Sequence, residues 1–262
     1  MKLDKFSLLF LFLGSFLLVF VCVTLGNMFY EQIMDISTFL SVIGDPAVIN
    51  AIWISISATT LSTIIAFIFG VPLAYFLAKK EFRGKNLIEG ILDIPMMIPH
   101  IVAGIALFGV FNSSGIIGAS FKNLGIRFQD SFLGIVVAML FMSFPYLVNS
   151  AKEGFKTVDP KLENVARSLG AKQRTVFIKI AFPLAFPSIF EGMLQCWARG
   201  ISEFSAVLIL AYFPKSVPIL IWEKFSTYGI AVSRAISILL ILICLIVFAV
   251  LRLPKWEKWR KR

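Results

Sequence analysis

A chain of 262 residues that is 58% hydrophobic and 15% charged lies outside the range of soluble domains, which are about 45–50% apolar and about 25% charged. With 27 phenylalanines and a mean hydropathy of +0.88, a single water-soluble core is excluded and lipid is the expected surrounding solvent. The net charge of +10 follows from where the basic residues sit relative to the apolar runs, so nucleic acid is not needed as a partner.

A membrane-crossing helix needs about 20 predominantly apolar residues. The first such run is Phe6 to Asn27. It is too long for the apolar region of a signal peptide and has no A-x-A site after it, so it reads as a retained span. Further spans are expected from about Asn50 to Ala78, Leu87 to Phe111, Ser131 to Ser150, Ser188 to Tyr212 and Ile230 to Leu253. Six spans place both termini on one side. Lys2 and Lys5 precede the first; Lys79, Lys80, Arg83 and Lys85 join the second and third. Lys152, Lys156, Lys161, Arg167, Lys172, Arg174 and Lys179 join the fourth and fifth, and Arg252, Lys255, Lys258, Arg260, Lys261 and Arg262 end the chain. The opposite loops carry Lys122, Arg127, Lys215 and Lys224. Positive residues gather on the cytoplasmic side, so both termini are expected there. Cys22, Cys196 and Cys244 are far apart and lack metal-ligand spacing, which predicts packing residues rather than a disulfide or metal site.

The third span contains LDIPMMIPHIVAGIAL. Pro95 and Pro99 each remove an amide donor and crowd the preceding turn, so the helix must break or kink. Such breaks are tolerated only where protein or a water-filled cavity covers the backbone. Asp93, Pro95, Pro99 and the lone His100 therefore become candidates for a translocation path, beside the alternatives of a kinked packing helix and a packing histidine.

Between the fourth and fifth spans lies LENVARSLGAKQRTVFIKIAFP, polar and basic where its flanks are greasy. Asp159-Pro160 supplies an N-cap and a proline at the first helical position. Leu162, Val165, Ala166 and Leu169 recur at helical spacing, and Gly170 can end the helix. An amphipathic helix outside the membrane needs a cover for its apolar face: its own spans, a nucleic acid-binding arrangement with the following turn, or a cytoplasmic partner.

In the fifth span Glu191, Gln195, Arg199 and Glu203 recur every four residues and form one polar stripe, with Ala198, Ser202 and Ala206 as a row of small residues beside it. Charges at mid-bilayer cost about 2.5–3.5 kcal/mol each on insertion scales, so the stripe must face a cavity, the bundle interior or a partner. A structural Arg199–Glu203 pair and a transport role both fit.

The spacing Asn164-Val165-Ala166, three residues, Gly170, nine residues, Ile180-Ala181-Phe182-Pro183 resembles the EAA loop of binding-protein-dependent ABC importer permeases. Asn164 stands where that family has Glu, with Glu163 adjacent, and Phe182 stands for Leu. Together with IPMMIPHIVAGIALF and WARGISEFSAVLILAYFPKSVPILIWEKFSTYGI, the chain looks like the permease subunit of molybdate/tungstate transporters, a pattern that sulfate permeases share. The resemblance implies an all-α membrane protein with the six-helix, type I importer (MetI-like) fold. It would comprise an N-terminal helix over 1–28, an extracytoplasmic connection over 29–49, a permease core over 50–250 containing the loop 152–183, and a basic tail over 251–262. It further implies that Glu163, Asn164, Val165, Ala166, Arg167, Leu169, Gly170, Ala171, Ile180 and Pro183 couple the chain to an ATPase subunit. A second copy of the permease and an extracytoplasmic oxyanion-binding protein would complete the assembly. The chain has no GxxxxGK[ST] phosphate cradle, so ATP-Mg would be held by the partner ATPase and no cofactor by this chain. An ion-coupled secondary transporter and a membrane enzyme are disfavoured, because no internal repeat and no convergent acid, base or metal cluster is apparent.

Overall fold

The computed structural model describes residues 4–252; Lys2 and the tail residues from Lys255 onward lie outside them. Among the described residues all regular structure is helical. Helix α1 (Lys5–Met34) runs past the expected end of the first span and leads into α2 (Ile36–Ile43), so the connection before the second span is itself helical. Cys22 is exposed on α1, whereas Cys196 is buried in the core.

Helix α3 (Pro46–Lys79) begins at Asp45, whose carboxylate accepts the Ala47 N–H at 2.8 Å, and has Pro46 at its first position. Its buried face is built from small residues, among them Ala51, Ser55, Ala58, Thr59, Ser62, Ala66, Gly70 and Ala74. Small side chains let helices approach closely where lipid offers no hydrophobic drive for their association. Two long helices use that face: α7 (Phe132–Thr157), capped by Ser131, and α10 (Phe182–Ile201). Thr59 Oγ1 donates to the Trp197 carbonyl at 3.0 Å, tying α3 to α10.

The close approach extends to α7 and α10. A Cβ placed on Gly192 would stand 2.8 Å from the Ser150 Cβ and 3.1 Å from the Leu147 Cα and carbonyl oxygen. Since backbone cannot give way as a side-chain tip can, Gly192→Val is expected to cost about 2–3 kcal/mol. Thermal unfolding of the purified protein in detergent checks this, with Gly109→Val, where nothing lies within 4 Å, as the mild control.

The third expected span is two helices, α4 (Lys85–Met97) and α5 (His100–Phe111), bent by 111° at the break between them. Pro99 makes the break: Ile98 before it is extended (φ −81°, ψ 148°), as the crowding of a following proline ring requires. Pro95, in contrast, stays inside α4 and is buried, so only one of the two prolines interrupts the helix. After α5 comes α6 (Ile116–Lys122).

Beyond α7 the chain forms α8 (Pro160–Ser168) and α9 (Gln173–Val176), then a π-helical turn, Phe177–Ala181, that runs straight into α10. Pro183 has no N–H to give and its ring would crowd the Lys179 carbonyl, which explains the widened turn just before it. The fifth span is therefore Gln173–Ile201, shifted toward the N-terminus from the expected Ser188–Tyr212. The residues after Ile201 form α11 (Ser205–Leu210) and α12 (Val217–Tyr228) before the last span, α13 (Ile230–Arg252). Among the described residues five helices are long and apolar enough to cross a membrane, and the bent pair taken as one broken span brings the number to six. The chain is thus a multi-pass membrane protein whose core lies where α3, α5, α7, α10 and α11 meet.

Candidate functional site

Two groupings of polar residues stand out, one at each end of the α7–α10 region. The first surrounds α8. Its carboxylate cap is in place: Asp159 accepts the Lys161 N–H at 2.9 Å. Its other end is a Schellman turn, with Gly170 at φ +85°. There the Gly170 N–H donates to the Arg167 carbonyl at 2.9 Å and the Ala171 N–H to the Ala166 carbonyl at 3.0 Å. Glycine takes that backbone without strain, and the turn satisfies carbonyls the helix leaves open.

The faces of α8 are inverted relative to an ordinary surface helix. Leu162, Val165 and Leu169 are exposed, Leu169 at 83%. The buried residue is a charge: Glu163, 3% exposed. Lys79 Nζ lies 2.8 Å from Glu163 Oε1, Arg167 donates to Oε2 at 3.1 Å, and the Tyr75 hydroxyl donates to Oε2 at 3.2 Å. Lys79 also donates to the Val158 carbonyl at 3.0 Å, and Gln173 donates to the Tyr75 hydroxyl at 2.8 Å. One carboxylate thus clasps α8, the end of α3 and the chain leaving α7. Asn164, at the motif position of the usual glutamate, is exposed instead. Ile180 and Pro183 belong to the continuous helix below, not to α8. Tyr75, Lys79 and Gln173 are the anchor residues that the motif did not single out; only a polar tyrosine four residues before a lysine at a helix end hints at them.

The second grouping lies at the two helix breaks. The structure brings together His100, Arg199, Ser202 and Glu203. Glu203 is fully buried and both its oxygens are used. Oε2 accepts from Arg199 Nη2 at 2.7 Å, and Oε1 accepts the Ala206 N–H at 3.0 Å, capping α11. Arg199 Nη2 also lies 2.7 Å from Nε2 and 3.0 Å from Nδ1 of His100. Nδ1 of His100 also stands 3.5 Å from Glu203 Oε2, so the imidazole touches both members of the pair. Ser202 Oγ donates back to the Arg199 carbonyl at 3.0 Å.

The rest of the expected stripe does not join this cluster. Glu191 and Gln195 are exposed on α10 two and one turns earlier, and among the described residues the carboxylate paired with Arg199 is that of Glu203. The row of small residues is broken too: Ser202 lies past the helix end, while Ala206 packs instead against α5, where a Cβ on Gly104 would meet its Cα at 3.0 Å. Asp93 accepts from Asn149 Nδ2 at 2.7 Å and ties α4 to α7. The other basic residue expected inside a span, Arg234, pairs with Glu31 and donates to Gln32 at 3.4 Å.

Comparison with known proteins places this geometry. The family model described as "Binding-protein-dependent transport system inner membrane component" matches residues 70–253. The chain is 45% identical over 244 residues to the molybdate/tungstate transport system permease protein WtpB of Pyrococcus abyssi, covering 93% of each chain. It is 42% identical to the protein of the same name from Thermococcus kodakarensis, covering 100% of this chain and 99% of that one. Among solved structures, a chain of a bacterial alginate ABC transporter in complex with a pentasaccharide-bound periplasmic protein superposes with a TM-score of 0.74 at 16% identity, covering 93% of this chain and 92% of that chain. Helix order, the broken span and the α8 segment thus coincide with a sequence match over most of the chain, which belongs to the family of binding-protein-dependent transport system inner membrane components.

Proposed function

We propose that this chain is the membrane permease of an ATP-driven importer for tetrahedral oxyanions of the molybdate and tungstate kind. It would act as two copies with two ATPase subunits and an extracytoplasmic binding protein, both termini in the cytoplasm. The observation that carries the reading is the inverted helix α8. Its apolar residues Leu162 and Val165, with Leu169 at its C-cap, point away from the bundle while its one carboxylate is locked inside. A helix held rigidly by a polar anchor, with an apolar face offered outward, is fitted to dock in a partner's groove. ATP and its Mg²⁺ would be held by that partner, and Glu163, Asn164, Val165, Ala166, Arg167, Leu169, Gly170 and Ala171 would form or orient the docking element. The substrate class rests on the relatives' names at 42–45% identity over nearly the whole chain.

The cluster of His100, Arg199 and Glu203 is the proposed gate, built where two helices break side by side. An anion crossing a low-dielectric core needs compensating positive potential. Arg199 offers it in a form already neutralised by Glu203, so a dianion is drawn forward without being trapped. Selectivity would then reside in the binding protein.

Reconstituting permease, ATPase and binding protein in vesicles tests the assignment. ATP-dependent tungstate uptake is expected, competed by molybdate, with sulfate as the discriminating third anion. Uptake of a sugar or amino acid instead, or oxyanion uptake without the ATPase subunit, would overturn it. In the same vesicles Gly170→Trp is expected to lower ATPase recruitment while the bundle still folds, because a bulky residue at φ +85° strains the turn that ends α8; normal copurification and transport would count against the docking role.

A further inference from the structure

Helix α4 is held in an unusual way. It starts at Gly84, φ +92°, and ends at the Ile98–Pro99 break, so both its ends are hinges. Its outward residues Leu87, Ile91, Ile94 and Met97 are exposed, and α7 is the neighbour it packs along. Across that seam lie two polar pairs. Lys152 Nζ stands 3.4 Å from Glu89 Oε2, and Asn149 donates to Asp93 at 2.7 Å. Lys152 is 8% exposed, and the other Glu89 oxygen, Oε1, is buried without a hydrogen-bond partner.

A buried ion pair is weak support for stability, since desolvation offsets most of its attraction. An unsatisfied carboxylate oxygen beside it makes this arrangement costlier still. The spacing offers a second one. Glu89 and Asp93 are four residues apart on α4; Lys152 and Lys156 are four apart on α7, and the helices run antiparallel through these pairs. A shift of α4 by one turn, about 5.4 Å, would put Asp93 on Lys152 and Glu89 on Lys156. Glu89 already lies within electrostatic reach of Lys156. The present partner of Lys156 is Glu153, at 2.8 Å on the exposed side, and such a surface pair is given up at little cost.

We propose that Glu89 and Asp93 form with Asn149, Lys152 and Lys156 a two-register polar ladder through which α7 sets the position of His100. Helix α7 leads directly into α8, and His100 is the first residue beyond the break that ends α4. A displacement of α8 therefore reaches the proposed gate through this seam as a step between two registers. One-turn shifts of this kind are a known form of switching between packed elements. The inference rests on the gate reading given above for its destination, but its geometry stands on α4 and α7 alone.

The test uses the complete transporter in vesicles, with Cys22, Cys196 and Cys244 first replaced by serine. Two cysteine pairs that leave every ladder residue in place are compared under a short bifunctional thiol reagent: Leu92→Cys with Ala151→Cys, and Leu92→Cys with Phe155→Cys, Leu92 packing against this stretch of α7. The first pair is expected to cross-link in the nucleotide-free complex and the second in the ADP-vanadate-trapped complex, the yield ratio changing about tenfold. An unchanged ratio overturns the ladder. A second readout separates positioning from folding: Lys152→Gln is expected to lower uptake per ATP hydrolysed about tenfold with ATPase activity retained, and Lys152→Arg to restore it. Loss of uptake and ATPase in parallel, or no rescue by arginine, also counts against it. His100→Ala with full uptake would defeat the gate reading while leaving the cross-linking result intact.

Discussion

Arg199→Met is expected to destabilise the protein by about 3–5 kcal/mol, because it strands a carboxylate that is fully buried and whose other oxygen is committed to the Ala206 N–H. The double variant Arg199→Met with Glu203→Gln is expected to recover most of that loss, since the amide oxygen can still cap α11 and no unpaired charge remains. Unfolding in detergent measures the first effect and the recovery. Vesicle uptake separates the two roles left open by the sequence. If the charge pair serves transport, the double variant folds and still fails to move the anion. A double variant with full uptake would reduce the pair to a structural cap at the helix break.

Removal of the α8 anchor has the second largest expected effect. Glu163→Ala leaves Lys79 and Arg167 without their shared carboxylate and the Tyr75 hydroxyl without its acceptor. The lysine is partly exposed and can reach water, so the loss is local rather than global. Backbone amides of residues 160–171 are expected to exchange about 10–100-fold faster, as a segment released from its tertiary contacts opens more readily. Uptake should fall at least tenfold while the rest of the bundle keeps its protection. Leu169→Ala is the complement: with its side chain outside the fold, stability should move by no more than about 0.5 kcal/mol, and the weakened property should be association with the ATPase subunit. Protection of residues 160–171 that is unchanged in Glu163→Ala would show that α8 is held by something other than this carboxylate.

The apolar runs of the sequence marked the membrane segments, because a length of about 20 apolar residues is a condition that each of the five long helices meets by itself and the bent pair meets jointly. Local chemistry likewise determined α8: Asp159, Pro160 and Gly170 act on the backbone within a few residues of themselves, and all three do in the structure what their chemistry demands. The break at Pro99 was legible for the same reason. What the sequence left undecided were questions of partnership. Composition does not say that Pro95 would be accommodated inside α4 while Pro99 interrupts the span. Four-residue spacing put Glu191, Gln195, Arg199 and Glu203 on one stripe, but the helix ends at Ile201, and only the break turns Glu203 inward to Arg199 and His100. Periodicity gave α8 an apolar face to bury, whereas the fold buries Glu163, since Tyr75 and Lys79 arrive from a helix nearly ninety residues away in sequence. A residue's intrinsic polarity fixes what it needs; which neighbours meet that need is settled only when distant helices pack, and both candidate sites are made of such meetings.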